Sequence, residues 1–145
     1  MTGISTIFDL TGKRGLRDAG AKIVLNGRDA ARLQAAADTL QAEATLCFDV
    51  TDHACAREVV DDFEASTGPI DILINNAGMQ HRTPLEDFPA DAFQRLLQTN
   101  IASVFNVGQA VARHMIARGA GKIINFASVQ SMLARPGIAP YTATK

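Results

Sequence analysis

The chain has 145 residues, the size of one ordinary domain, and its 47% hydrophobic content is ample for one buried core. A formal charge of -1 offers no basic field to follow a phosphate backbone, which argues against nucleic acid and for a small soluble ligand. Cys47 and Cys55 fit no zinc-ligand spacing and read as core or near-core thiols in a reducing compartment. Met1 to Arg14 contains Asp9 and no apolar signal-like stretch, and no run approaches the ~18 apolar residues of a membrane span. A cytoplasmic protein that binds no metal or membrane is expected.

In chain order, Gly15 to Gly20 (GLRDAG) reads as the last turn of a helix with a glycine C-cap, although nothing before it supplies the helix body. Ala21 to Leu25 (AKIVL) is a short strand, Asn26 to Arg28 a turn and Asp29 a helix N-cap. Leu33, Ala36, Ala37 and Leu40 recur at helical spacing, and Ala44 to Phe48 form a second apolar run ending at Asp49 and Val50. Thr51 or Asp52 caps a helix whose buried side carries Cys55, Val59 and Phe63. Gly68 and Pro69 then stop that helix before a strand over Ile70 to Ile74. Asn75 to Gly78 (NNAG) end that strand. A polar stretch with Arg82 and Pro84 leads to a long helix starting near Pro89, and Gly119 to Gly121 release the chain into a strand over Lys122 to Ala127. Strands alternating with helices predict a parallel sheet covered on both faces, with ligand outside the carboxyl ends of the strands.

The polar motifs fall at those ends. Ser128 is followed thirteen residues later by Tyr141 and four after that by Lys145; on a helix, residues four apart share a face, so the ammonium can approach the phenol or a ligand beside it. A neighbouring positive charge favours a phenolate, which suits acid/base work. Taken alone, Tyr-x-x-x-Lys is a weak pattern. NNAG can be a simple turn or a place where backbone approaches a ligand closely. Asn100 lies on the stripe Phe93, Leu97, Val104, Val111 and Met115, which places an amide on a core-facing line. Such an amide needs partners, whether backbone, ligand or water.

Together these residues resemble the short-chain dehydrogenase/reductase family: NNAG at 75–78, TN at 99–100, KIINFAS ending at Ser128, and YTATK at 141–145. Within the family, FDLTGKR, IVLNGRD, NNAGMQHRTPLEDF and SVQSMLARPGIAPYTATK most resemble gluconate 5-dehydrogenase-like enzymes. The resemblance implies a Rossmann-type doubly wound parallel sheet and hydride transfer between a nicotinamide and a carbinol or carbonyl carbon. It implies that Tyr141 is the general acid/base, Ser128 binds the substrate oxygen, Lys145 binds the nicotinamide ribose and assists Tyr141, and Asn100 supports a proton-relay water. Asp49 and Val50 are implied to lie beside the adenine, with Asn76, Ala77 and Gly78 lining the ribose region. It also implies a homo-oligomer, a tetramer in this family.

The chain departs from the family pattern in two places. The first strand and its TGxxxGxG turn belong between Arg14 and Gly15 and are absent, and so is the region that follows the Tyr-x-x-x-Lys helix. Residues 1–145 are therefore expected to form one incomplete dinucleotide-binding domain. Asn26 and Arg28 occupy the turn where NAD-selective sites place a carboxylate; Arg28 either pairs with a 2′-phosphate or is a solvated surface arginine. NADP is the expected cofactor, with NAD as the alternative. Arg82, with His81, Gln130 and Arg135 as further candidates, is expected to meet a sugar-acid substrate, most simply gluconate and its 5-keto form. The competing readings are a reductase of another carbonyl, such as a 3-oxoacyl thioester, and a non-catalytic scaffold.

Overall fold

The computed structural model describes residues 20–145. FDLTGK at 8–13 lies outside them, as does most of the helix end expected over 15–20. Gly20, the first described residue, has φ +87°.

The described elements alternate in the expected way: β1 (Val24–Gly27), α1 (Ala30–Leu40), β2 (Ala44–Cys47), α2 (His53–Ser66), β3 (Ile72–Asn75), α3 (Ala90–Leu97), α4 (Ser103–Arg118), β4 (Lys122–Asn125) and α5 (Ala139–Ala143). Local chemistry sets most boundaries. The Asp29 side chain accepts from Arg32 N at 2.9 Å to start α1, and Asp52 accepts from Cys55 N at 3.0 Å to start α2. Gly119, at φ +69°, closes α4.

Strand β1 pairs in parallel with β2, and β3 with β4. Among the described residues these are two separate pairs, not one continuous sheet. Among the described residues, Val24, Leu25, Phe48, Ile72, Ile74 and Val107 line a groove between β1 and β3. The main core lies where α2 and α4 meet the strands, with Phe48, Ala56, Val60, Val107, Ala110, Val111 and Met115 buried together. No helix among the described residues is long and apolar enough to cross a membrane.

Several expectations shift. Strand β1 starts at Val24 and takes in Asn26 and Gly27, because the Asn26 side chain bonds Leu46 O (2.9 Å) and Phe48 O (3.1 Å) and carries the pairing onward. Strand β3 starts at Ile72, since Ile70 N is held by Glu64 Oε1 (2.8 Å) and not by a strand. Strand β4 closes at Asn125, two residues short of Ala127. Cys47 is exposed, not near-core, because the pleat turns Leu46 and Phe48 inward and residue 47 outward.

On α2 the buried line is Ala56, Val60 and Phe63, while Cys55 and Val59 flank it half-buried. At about 100° per residue, 55–59–63 drifts round the axis whereas 56–60–63 stays on one face. The stripe on α3 and α4 moves too. Phe93 is exposed and Leu97 and Val104 half-buried, with Ala92, Leu96, Asn100, Ser103 and Val107 taking the core-facing places. A π-helical turn over Gln98–Ala102 joins α3 to α4 and resets the phase by inserting extra backbone.

Candidate active site

The π turn carries Asn100, buried to 4% exposure as its place on the stripe required. Ser103, also buried, turns its hydroxyl back to Thr99 O at 2.5 Å and satisfies that carbonyl. The Asn100 amide makes three hydrogen bonds: Oδ1 accepts from Met79 N (2.8 Å), and Nδ2 donates to Met79 O (3.0 Å) and Thr144 Oγ1 (2.9 Å). The loop after NNAG is thereby fixed to the long helix.

The strand ends are locked beside it. Asn75 and Asn125 are register partners; Asn75 Nδ2 donates to Asn125 Oδ1 (2.9 Å) and Phe126 N to Asn75 O (3.0 Å). Lys145 Nζ donates to Phe126 O at 2.9 Å, which leaves two of its three N–H groups for other partners. A Cβ placed on Gly78 would lie 3.3 Å from Lys145 Nζ and 3.5 Å from Asn100 Oδ1, so a larger residue would meet the lysine ammonium closely and Asn100 at ordinary contact. Asn100, Val104, Asn125, Phe126, Thr144 and Lys145 line a cleft of about 210 Å³ here.

Tyr141 lies on α5, and Thr144 N and Lys145 N donate to Tyr141 O (3.0 Å) and Thr142 O (3.4 Å). Lys145 is also held by its bond to Phe126. Ser128 is extended at φ -146° and accepts from Gln130 N at 3.2 Å.

The residues assigned to a cofactor separate into groups. Asn26, Val50, Asn76 and Ala77 line the groove between β1 and β3. Val50 O and Thr51 O both accept from Asn106 Nδ2, which fixes the loop after β2. Arg28 and Asp49 lie together at the rim, 3.8 Å apart and both substantially exposed. Bonds from Thr51 N and Oγ1, with a smaller effect of Arg28, hold the Asp49 carboxyl below its usual range. Gly78 belongs with Lys145 rather than with the groove lining.

Of the substrate candidates, Arg82 is exposed and donates to Gln80 Oε1 at 3.3 Å. His81 bonds Thr83 (3.0 Å) and packs edge-on to Phe88. Thr83 N donates to Gly137 O (3.0 Å) and ties this loop to the one before Tyr141. Arg135 is exposed. Gln130 Oε1 is buried without a protein partner.

Sequence reasoning missed Met79 and Thr144. Met79 acts through its backbone, which no side-chain pattern reports. Thr144 gave one signal, a hydroxyl three residues past Tyr141 on the same helical side. No cluster of three or more metal-ligating side chains occurs among the described residues.

A short chain dehydrogenase family model matches residues 3–145. The chain belongs to the short chain dehydrogenase family. Gluconate 5-dehydrogenase from Gluconobacter oxydans (strain 621H) is 55% identical over 149 residues, covering 100% of this chain and 58% of that protein. The 5-keto-D-gluconate 5-reductase of Escherichia coli (strain K12) is 42% identical over 135 residues, covering 90% of this chain and 53% of the other. A crystal structure of a gluconate 5-dehydrogenase from Burkholderia cenocepacia J2315 in complex with NADP and tartrate matches with a TM-score of 0.83 and 55% identity, over 91% of this chain and 53% of that one. The Rossmann-type parallel α/β class expected from the sequence is thus that of its dehydrogenase relatives. The chain spans a little over half the length of these relatives.

Proposed function

We propose that the protein containing this chain is an NADP(H)-dependent oxidoreductase interconverting gluconate and 5-ketogluconate, with residues 1–145 part of one dinucleotide-binding domain. The observation that carries this reading is the convergence of Gly78, Asn100, Thr144 and Lys145 beside the carboxyl ends of β3 and β4, in a chain 55% identical to a gluconate 5-dehydrogenase. Ligands of open parallel α/β sheets bind at those ends.

The residues fit a dinucleotide in part. Asn26, Val50, Asn76 and Ala77 line one groove, and Arg28 and Asp49 stand at its rim. Lys145 has N–H groups to spare for ribose hydroxyls. NADP when bound supplies the hydride acceptor. In oxidation Tyr141 takes the proton of the substrate hydroxyl, and in reduction it returns it, while Ser128 holds the substrate oxygen by hydrogen bond. Lys145 favours the deprotonated phenol, and Asn100 orders the backbone that holds a relay water.

Arg82 offers a cation for the sugar-acid carboxylate. Gln130 supplies a buried acceptor for a substrate hydroxyl, a role supported by its unpartnered Oε1. The reading extends to a cytoplasmic homotetramer. Exposed Phe105 and Ile116 fall on one face of α4, which supports assembly with further copies.

The test is nicotinamide absorbance with the full-length protein against sugar acids, polyols and 3-oxoacyl thioesters. Tyr141→Phe should abolish turnover on gluconate while cofactor affinity stays within about threefold, since only the proton-transferring hydroxyl is lost. Turnover near wild type in that variant would overturn the acid/base assignment.

A further inference from the structure

Tyr141 lies on α5 and has to keep a fixed register against the NNAG loop and Lys145 if it is to exchange a proton with a substrate. The structure contains one buried side-chain link that supplies this register. Thr144, 7% exposed, accepts from Asn100 Nδ2 at 2.9 Å and donates from the same Oγ1 to Tyr141 O at 2.9 Å. Asn100 in turn grips both backbone groups of Met79, the residue after Gly78. The connected path runs from Met79 through the Asn100 amide and the Thr144 hydroxyl to the Tyr141 backbone.

We infer that Thr144 is a positioning residue, setting the placement of Tyr141 and Lys145 relative to the loop at Gly78 without touching substrate itself. The inference rests on the acid/base reading of Tyr141 for its effect on rate. A hydroxyl brings one donor and two acceptor pairs, and both kinds are used here in opposite directions. Valine has the same shape with neither capacity. It leaves an Asn100 N–H without an acceptor inside a buried site and cuts the link to Tyr141. Serine keeps both bonds and loses only a methyl group.

In the full-length protein, Thr144→Val should raise amide hydrogen exchange over residues 139–145 about tenfold, through local opening, while the far-UV spectrum shows the remaining helices intact. The same change should lower kcat about tenfold, ~1.4 kcal/mol of barrier, with KM for gluconate nearly unchanged. Thr144→Ser should restore exchange and kcat to near wild-type values. Unchanged exchange in Thr144→Val, or Thr144→Ser behaving like Thr144→Val, would overturn the inference. Should the wild type be inactive on every substrate, the functional reading falls, and the exchange comparison still decides the role of Thr144.

Discussion

Asn100 and Met79 hold each other reciprocally: the Met79 N–H donates to Asn100 Oδ1 at 2.8 Å and Asn100 Nδ2 donates to Met79 O at 3.0 Å. The side-chain amide thus does for one residue of loop what a neighbouring strand does in a sheet. Replacing it by Leu, similar in size and apolar, strips both Met79 backbone groups and Thr144 of their partner. Each unsatisfied buried group costs about 1–3 kcal/mol, so Asn100→Leu should lose about 3 kcal/mol in urea unfolding. A loss below about 1 kcal/mol would mean that the loop finds other partners.

Arg28 and Asp49 compete for one another at the groove rim. If Arg28 reads a 2′-phosphate, Arg28→Ala should reduce kcat/KM for NADP about tenfold and leave NAD nearly unaffected. Asp49→Asn releases Arg28 and removes a carboxylate that repels phosphate, so affinity for 2′,5′-ADP should rise. Equal use of the two cofactors by the wild type, or a preference untouched by Arg28→Ala, removes the assignment.

Arg82 has only a 3.3 Å bond to Gln80 to give up before meeting a carboxylate. Arg82→Ala should raise KM for gluconate or its 5-keto form about tenfold, ~1.4 kcal/mol of lost binding, with the cofactor unaffected. Normal gluconate binding in that variant, or a wild-type preference for uncharged polyols, would leave an oxidoreductase of another substrate.

Asp61 on α2 meets His114 Nε2 on α4 at 2.6 Å, with Arg57 at 3.6 Å. The bond to His114, then the charges of His114 and Arg57, hold its carboxyl below the usual range. A carboxyl depressed in the folded state stabilises above its unfolded value of ~3.9 and loses that contribution as pH falls through the folded value. In urea unfolding, the advantage of wild type over Asp61→Asn should therefore be full near neutrality and vanish as the solution is acidified below ~4. A gap independent of pH would show that the pair adds nothing through charge.

Much of this architecture is written locally. Asp29 and Asp52 cap helices with their own side chains, and the apolar runs feeding β2 and β3 need only short-range pattern to be seen. Asn100 was legible because an amide on an apolar stripe requires partners, and it has three. The π turn around it was not, since an inserted backbone turn changes no residue type; it displaced the stripe from Phe93 and Leu97 to Ala92 and Leu96. The position of Lys145 was hidden for another reason. Spacing along a helix says nothing of a partner on another segment, and Phe126 O, just past the end of β4, is nineteen residues away in sequence.

Glu64, Arg118 and Ile70 form a clasp at the other pole of β3. Arg118 donates to both oxygens of Glu64 (3.1 and 2.9 Å) and to Ile70 O, while Ile70 N donates to Glu64 Oε1. The Glu64 side chain is only 8% exposed, so Arg118→Met would strand a buried carboxylate at a cost of about 3 kcal/mol. This clasp shares no hydrogen bond with Asn100, Thr144 or Lys145, and a four-residue strand puts roughly 10 Å between its ends. Perturbations that far apart without common partners combine additively. The clasp thus gives a dial for robustness separate from the dial for turnover, and the first can be strengthened to absorb the damage of redesigning the second.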